Sequence, residues 1–310
     1  MQKKIAIAVD GSVHCGCAVR YAANMAKVLP ELYFELVHVQ PSLSQYLIEE
    51  AERKAKANRA LQAVIKANRE ASLDMLEKVR RQMVQQGVDA QRIELCSRIR
   101  TTGLAEDLLD ECRSKAYDAI VLGRRGVTYL QELVTGSVTA NLLEHSQVTP
   151  VWMVDGEVPD NRIVLAVDGS QNALRALDHY AFMLGGQKDA KIHIIHVKPR
   201  LRDICTIDFD SQTLAAAEEV VLDSDRHCID QFYSQALGVF KKNGLETDQL
   251  DIETIESRIS VAGAILDAAR KGGFGTIVVG RRGFKNSKFS GSVSRSILQK
   301  ATRMAVWLVP

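Results

Sequence analysis

The sequence predicts an α/β fold built twice: two tandem, doubly wound parallel sheets of five strands, each with helices on both faces. Three observations predict it. The first is internal repetition. Ile5-Ala-Ile-Ala-Val-Asp10-Gly11-Ser12 recurs as Ile163-Val-Leu-Ala-Val-Asp168-Gly169-Ser170, and His38-Val39-Gln40-Pro41 recurs as His196-Val197-Lys198-Pro199, both displaced by 158 residues. Ile120-Val-Leu-Gly123-Arg124-Arg125-Gly126 returns as Ile277-Val-Val-Gly280-Arg281-Arg282-Gly283. Gly136-Ser137-Val138 returns as Gly291-Ser292-Val293, and Val151-Trp152-Met-Val154 as Val306-Trp307-Leu-Val309. Five blocks in the same order mark a tandem duplication. The second is that the repeated blocks are short runs of Ile, Val and Leu without sustained alternation, as strands covered on both faces require. The third is that segments with helical spacing separate those runs, and such alternation implies a parallel sheet.

Taken in order, residues 4–9, 33–39, 92–99, 118–122 and 150–154 read as the five strands of the first half. Residues 12–28 read as the first helix. Residues 47–86 read as a long helix rich in Ala, Glu, Lys, Arg and Gln, with Leu61, Val64, Ile65, Leu76, Val79 and Met83 on one stripe. A further helix starts at Ser137, with Val138, Leu142 and Leu143; its counterpart starts at Ser292, with Val293, Ile297 and Leu298. The polar stretch Asp155-Gly-Glu-Val-Pro159-Asp-Asn161 joins the halves, giving domains 1–157 and 158–310. Each last strand is a sheet edge with unpaired backbone groups. Pairing the two edges within the chain, with Trp152 and Trp307 at or near the contact, is therefore expected.

Composition narrows the function. The 310 residues are 46% hydrophobic and 25% charged, which is ordinary for a globular chain. Forty basic and 38 acidic side chains leave a formal charge of +2, too balanced for nucleic acid or an anionic membrane as the main partner. No run of about 18 apolar residues is present. The apolar run before Asp10 is too short for a signal-peptide core, so a cytoplasmic location is expected. The six cysteines, at 15, 17, 96, 112, 205 and 228, lack the spacing of a zinc site.

In a doubly wound sheet, ligands bind beyond the C-terminal strand ends, where the strand order reverses. The repeated polar residues fall there. Asp10 ends the first strand, where a carboxylate can bond ribose hydroxyls or hold a metal ion. Gly123-Arg-Arg-Gly126, nine residues and then Gly136-Ser137 follow the fourth strand. Glycines let a backbone approach a ligand closely. The N–H groups and dipole of the helix opened by Ser137 suit an anionic phosphate, and Arg124 with Arg125 is placed to neutralise it. His38 and His196 end a buried strand and read as hydrogen-bonded structural imidazoles. No Ser or Cys nucleophile stands with His and carboxylate at recognisable spacing, so no catalytic residue is assigned.

With these residues the chain resembles the universal stress protein family in its tandem form, over essentially its whole length. The most specific element is the G-x2-G-x9-G-[S/T] signature, matched in full by residues 123–137. The resemblance implies strand order 3-2-1-4-5 and ATP or AMP as the ligand, with Mg2+ as an accompanying ion. It also implies Asp10 near ribose and phosphates, the Val39 backbone beside adenine, and Gly123, Gly126, Gly136 and Ser137 around the phosphates. Asp168, Val197, Gly280, Gly283, Gly291 and Ser292 hold those places in the second half. Ser12, Arg124 and Val138, with Ser170, Arg281 and Val293, complete the expected nucleotide set. Seven residues, not nine, separate Gly283 from Gly291, so a weaker or altered second site is expected.

Rival nucleotide motifs are absent. There is no G-x4-G-K-[S/T], and Asp10-Gly-Ser12 stands where a G-x-G-x-x-G fingerprint would begin. The expected role is a regulator in the stress response, with slow ATP hydrolysis or autophosphorylation at most. A nucleotide-free interaction scaffold with vestigial pockets and a thiol redox sensor using Cys15 or Cys17 are the alternatives. The expected partners are nucleotide and the chain itself, as intramolecular pairing or a homodimer, with the downstream protein left open.

Overall fold

Why the repeated apolar runs become strands is visible in what covers them. The computed structural model describes residues 2–29, 31–124, 142, 146, 148–187, 189–200, 211–257, 260–281 and 292–310, with backbone alone at 211–215 and 292. It forms two compact units, Met1–Glu157 and Val158–Pro310.

In the first unit, β1 (Lys3–Ala8), α1 (Val13–Val28) and β2 (Leu32–Gln40) are followed by α2 (Gln45–Arg53) and α3 (Ala55–Gln85). Then come β3 (Ile93–Ile99), α4 (Leu104–Ser114), β4 (Ala119–Gly123) and β5 (Val151–Asp155). The strands lie in the order β3-β2-β1-β4-β5 and every described pairing between them is parallel. The second unit repeats this with β6 (Ile163–Val167), α5 (Gln171–Leu184), β7 (Ile192–Lys198), α6 (Ser211–Lys242), β8 (Leu250–Glu256), α7 (Val261–Lys271), β9 (Thr276–Gly280), α8 (Ser292–Lys300) and β10 (Met304–Val309). Its order is β8-β7-β6-β9-β10, again parallel. Both units thus have the 3-2-1-4-5 order that the resemblance implied.

The central strands carry the core. Ile5, Ile7, Phe34, Leu36 and Trp152 are fully buried in the first unit, as are Val164, Leu165, Ile192, Val278 and Trp307 in the second. Each such side chain contributes about 1.5–3 kcal/mol on leaving water. Trp307 meets the edges of His179 and Tyr180 on α5, at 5.7 and 6.4 Å between ring centroids, so it packs beneath a helix of its own unit. Tyr180 also donates its hydroxyl to the Ile163 carbonyl at 2.8 Å.

Two expectations change. The segment 47–86 is not one helix, because Lys54 is extended (φ −132°, ψ 120°) and separates α2 from α3. Of the predicted stripe, Leu61, Leu76, Val79 and Met83 are buried and Ile65 is half-buried, while Val64 is 40% exposed. The third strand of each half is also less covered than a fully buried strand. β3 and β8 are sheet edges carrying Glu94, or Asp251, Glu253 and Glu256, all exposed to water.

Candidate functional site

Both units build the same turn after their central strand. Gly11 and Gly169 have φ +73°, a left-handed conformation that side chains other than glycine rarely take. The turn is closed by the preceding carboxylate: Ser12 donates its backbone N–H to Asp10 Oδ1 at 2.9 Å, and Ser170 does the same to Asp168 Oδ1 at 3.1 Å. The serine hydroxyl then caps the helix, accepting from Cys15 N at 3.1 Å or Ala173 N at 3.2 Å. Asp10 is half-buried and Asp168 exposed. A carboxylate is a hard oxygen donor, so this chemistry fits a phosphate-bound Mg2+ or ribose hydroxyls. The long helix lies over each turn: a Cβ on Gly11 would be 3.3 Å from Met75 Sδ, and one on Gly169 would be 3.0 Å from Cys228 Cβ.

The loop after the fourth strand is described only at its start. A Cβ on Gly123 would lie 2.6 Å from the carbonyl carbon and oxygen of His14, and Gly280 faces the Asn172 carbonyl in the same way. Glycine here lets the ends of β4 and β9 abut the first turn of α1 and α5 at the switch point. Arg124 prolongs the ladder by donating its N–H to Val154 at 2.9 Å, and Arg281 donates to Val309 at 2.6 Å. Both arginines are buried, and Arg124 Nη1 lies 3.6 Å from Asp155 Oδ1. The phosphate loop proper, Arg125, Gly126, Gly136, Ser137 and Val138 with Arg282, Gly283 and Gly291, lies outside the described residues. Ser292 and Val293 open α8.

Val39 and Val197 are buried at the ends of β2 and β7, beside the two histidines. His38 Nδ1 lies 2.7 Å from Ser72 Oγ, which lies 2.6 Å from Ser97 Oγ, and Gln40 donates to that last oxygen at 2.8 Å. Burial pulls the His38 imidazole below its ordinary pKa, and the Asp10 carboxylate offsets part of that. His196 instead places Nδ1 3.1 Å from the Val167 carbonyl and Nε2 2.9 Å from Asp225 Oδ2. Ser72 and Asp225 escaped the sequence reading. The signal was available: Ser72 stands four and seven residues before Leu76 and Val79, and Asp225 four and seven before Ile229 and Phe232. Each is a polar side chain on an apolar stripe.

Among the described residues, Glu35, Cys96 and Glu111 form a group whose donor atoms lie within 4.8 Å of one another. Cations of the chain already occupy it. Lys115 Nζ is 2.5 Å from Glu35 and 2.8 Å from Glu111, and Arg98 bonds Glu111. Burial, with Glu111 and Glu35 alongside, pushes the Cys96 thiol up to about 12, so its sulfur stays protonated and binds metal poorly. This is an ion-pair network. The free cysteines Cys15 and Cys17 are buried on α1, and burial pushes the Cys15 thiol up.

Among the described residues no helix is long and apolar enough to cross a membrane. Comparison with known proteins agrees with the doubled fold. The model of the universal stress protein family matches residues 1–155 and again 161–310. A universal stress protein of Mycolicibacterium smegmatis is 25% identical over 205 residues, 64% of this chain; the chain spans 65% of that protein's length. Universal stress protein YxiE of Bacillus subtilis is 29% identical over 144 residues, 46% of this chain and 94% of its own length. A universal stress protein crystal structure from Archaeoglobus fulgidus superposes with a TM-score of 0.60 at 18% identity, covering 99% of this chain and 95% of that one, a likeness of fold. Two successive family matches over two units of one strand order lead to one conclusion: the chain belongs to the universal stress protein family and carries its domain twice.

Proposed function

We propose that this chain binds ATP or AMP and acts in the cytoplasm as a stress-response regulator rather than as a turnover enzyme. The observation that carries the reading is the Asp-Gly-Ser turn, built twice with one geometry at the C-terminal end of a central parallel strand. There the carboxylates of Asp10 and Asp168 stand beside a helix N-terminus, where phosphate is favoured. Val39 and Val197 form the adenine side, and Gly126, Gly136 and Ser137, with Gly283, Gly291 and Ser292, form the phosphate side. Mg2+ would be held by the carboxylate together with phosphate oxygens and would supply charge neutralisation. A regulatory reading fits the chemistry at hand, since His38 is bonded to Ser72, and Ser72 is buried where it presents no nucleophile. The raised Cys15 thiol works against a redox sensor. Self-association through the edge strands β5 and β10 belongs to the same proposal.

Mass spectrometry of the small molecule that co-purifies tests it. ATP or AMP recovered from protein prepared without added ligand supports the reading. Protein that yields no nucleotide and binds none in titration supports the scaffold reading instead.

A further inference from the structure

The last turns of α6 and the strand β8 differ from their counterparts in the first unit, and the difference leaves a groove beside a sheet edge. The two corners align through one hydrogen bond. Val88 donates its N–H to the Met83 carbonyl at 3.1 Å, and Leu245 donates to the Phe240 carbonyl at 3.0 Å. Three residues before those acceptors stand Arg80 and Leu237. Arg80 reaches across to the Ala90 carbonyl at 3.4 Å and so covers its corner. Leu237 cannot make that bond and is 52% exposed. It borders a groove of about 210 Å³, lined also by Tyr233, Ala236, Phe240, Leu250 and Ile252. Ile252, within β8, is 41% exposed.

β8 ends the strand order of its unit and pairs with β7 alone among the described residues, so one row of its backbone N–H and C=O groups is unpaired. Its charge sets it apart from β3. Residues 245–256 hold Glu246, Asp248, Asp251, Glu253 and Glu256 and no Lys or Arg. The matching residues 88–99 balance Asp89 and Glu94 with Arg92 and Arg98. On β3, moreover, Glu94 is paired with Lys4 and Arg98 with Glu111. On β8, Asp251 meets His193 and Glu256 meets Lys198 from 3.8 Å, while Glu253 is exposed and in no ion pair among the described residues. Charge alone would serve to keep an edge from aggregating. An acidic edge that also flanks an open apolar groove offers more: backbone bonds for an extended segment, a seat for one apolar side chain and a preference for basic neighbours. A second copy of this chain docking through the same strand would set these carboxylates against each other. We infer that β8 and the Leu237 groove receive an extended, basic segment of a partner protein, added as a further strand.

The probe is a short fluorescent peptide of alternating Lys and Val with capped ends, titrated onto the full chain and followed by anisotropy. Two control peptides separate the contributions. Lys alternating with Ser keeps the charge without the apolar side chains, and an N-methylated Lys/Val peptide lacks the backbone donors. Saturable binding of the probe is expected, about tenfold tighter than that of either control. Amide hydrogen exchange should slow in residues 250–256 and stay unchanged in 93–99. Leu237→Arg, which sets the residue type of the first unit in the second, should weaken binding about tenfold, and Glu253→Lys about threefold. Both side chains are exposed, so these variants keep the fold. No binding, controls that bind equally, variants that bind as the wild type does, or unchanged exchange at 250–256 overturns the proposal. So does a dimer seen by sedimentation in the wild type and lost in Leu237→Arg, which would make a second copy the occupant.

Discussion

Lys115 places its ammonium 2.5 Å from the carboxylate of Glu35, 80 residues away in the chain and 3% exposed on the interior strand β2. Two acidic groups, Glu35 and Glu111, share that cation; desolvation alone would lower the Lys115 ammonium, but the hydrogen bonds to Glu111 and Glu35 outweigh it and hold the group well above its ordinary value. Removing it leaves a buried carboxylate uncompensated. Lys115→Met is expected to destabilise the first unit by ~2–4 kcal/mol, less than a fully buried pair would cost because Lys115 is itself partly exposed. Urea titration checks this. In the double variant with Glu35→Gln most of the loss should be regained.

Gly123 has a structural duty that precedes any ligand. A methyl group there would press on the His14 backbone. Gly123→Ala should therefore cost ~1–3 kcal/mol in the absence of nucleotide. Thermal melting of ligand-free protein is the measurement. An unchanged midpoint would mean that β4 and α1 can part without loss.

Asp107 predicts an acid limb. Burial alone would raise its carboxyl, but bonds from the backbone and hydroxyls of Thr101 and Thr102 outweigh this and hold it down at about 2, against 3.8 unfolded. A depressed folded pKa stabilises above the unfolded value and is lost as pH falls through the folded one. Its contribution, about 2 kcal/mol, should be intact above pH 4 and fade between pH 4 and 2. Asp107→Asn should lower stability at pH 7 and flatten that part of the curve in denaturant titrations at successive pH values.

Gly136, outside the described residues, carries the sequence-based expectation for the phosphate loop. Gly136→Val should weaken ATP binding by ~1–3 kcal/mol, roughly ten- to a hundredfold, while circular dichroism is kept. Unchanged calorimetric affinity would remove this loop from the site.

What could be read in advance was whatever the chain states locally and then repeats. The strand runs, the Asp-Gly-Ser turns and the glycines that end β4 and β9 each sit within a few consecutive residues, and the second copy separates pattern from accident. The extended Lys54 was hidden because nothing in Glu50 to Asn58 is a helix breaker; the chain bends between good helix formers, a tertiary choice. Glu35 with Lys115 was hidden by distance along the chain. Ser72 and Asp225 were only half hidden: each stood out as a polar side chain on an apolar stripe, but its role waited on the strand-end histidine that faces it.

That last pair has a consequence for how such a chain can change. A protein carrying this fold once, and pairing with its own copy, must present two identical pockets, and any substitution falls on both. Here Ser72 beside His38 and Asp225 beside His196 are separately encoded. One half is free to keep its side chains while the other drifts, so a single polypeptide can hold two unlike sites in fixed one-to-one proportion.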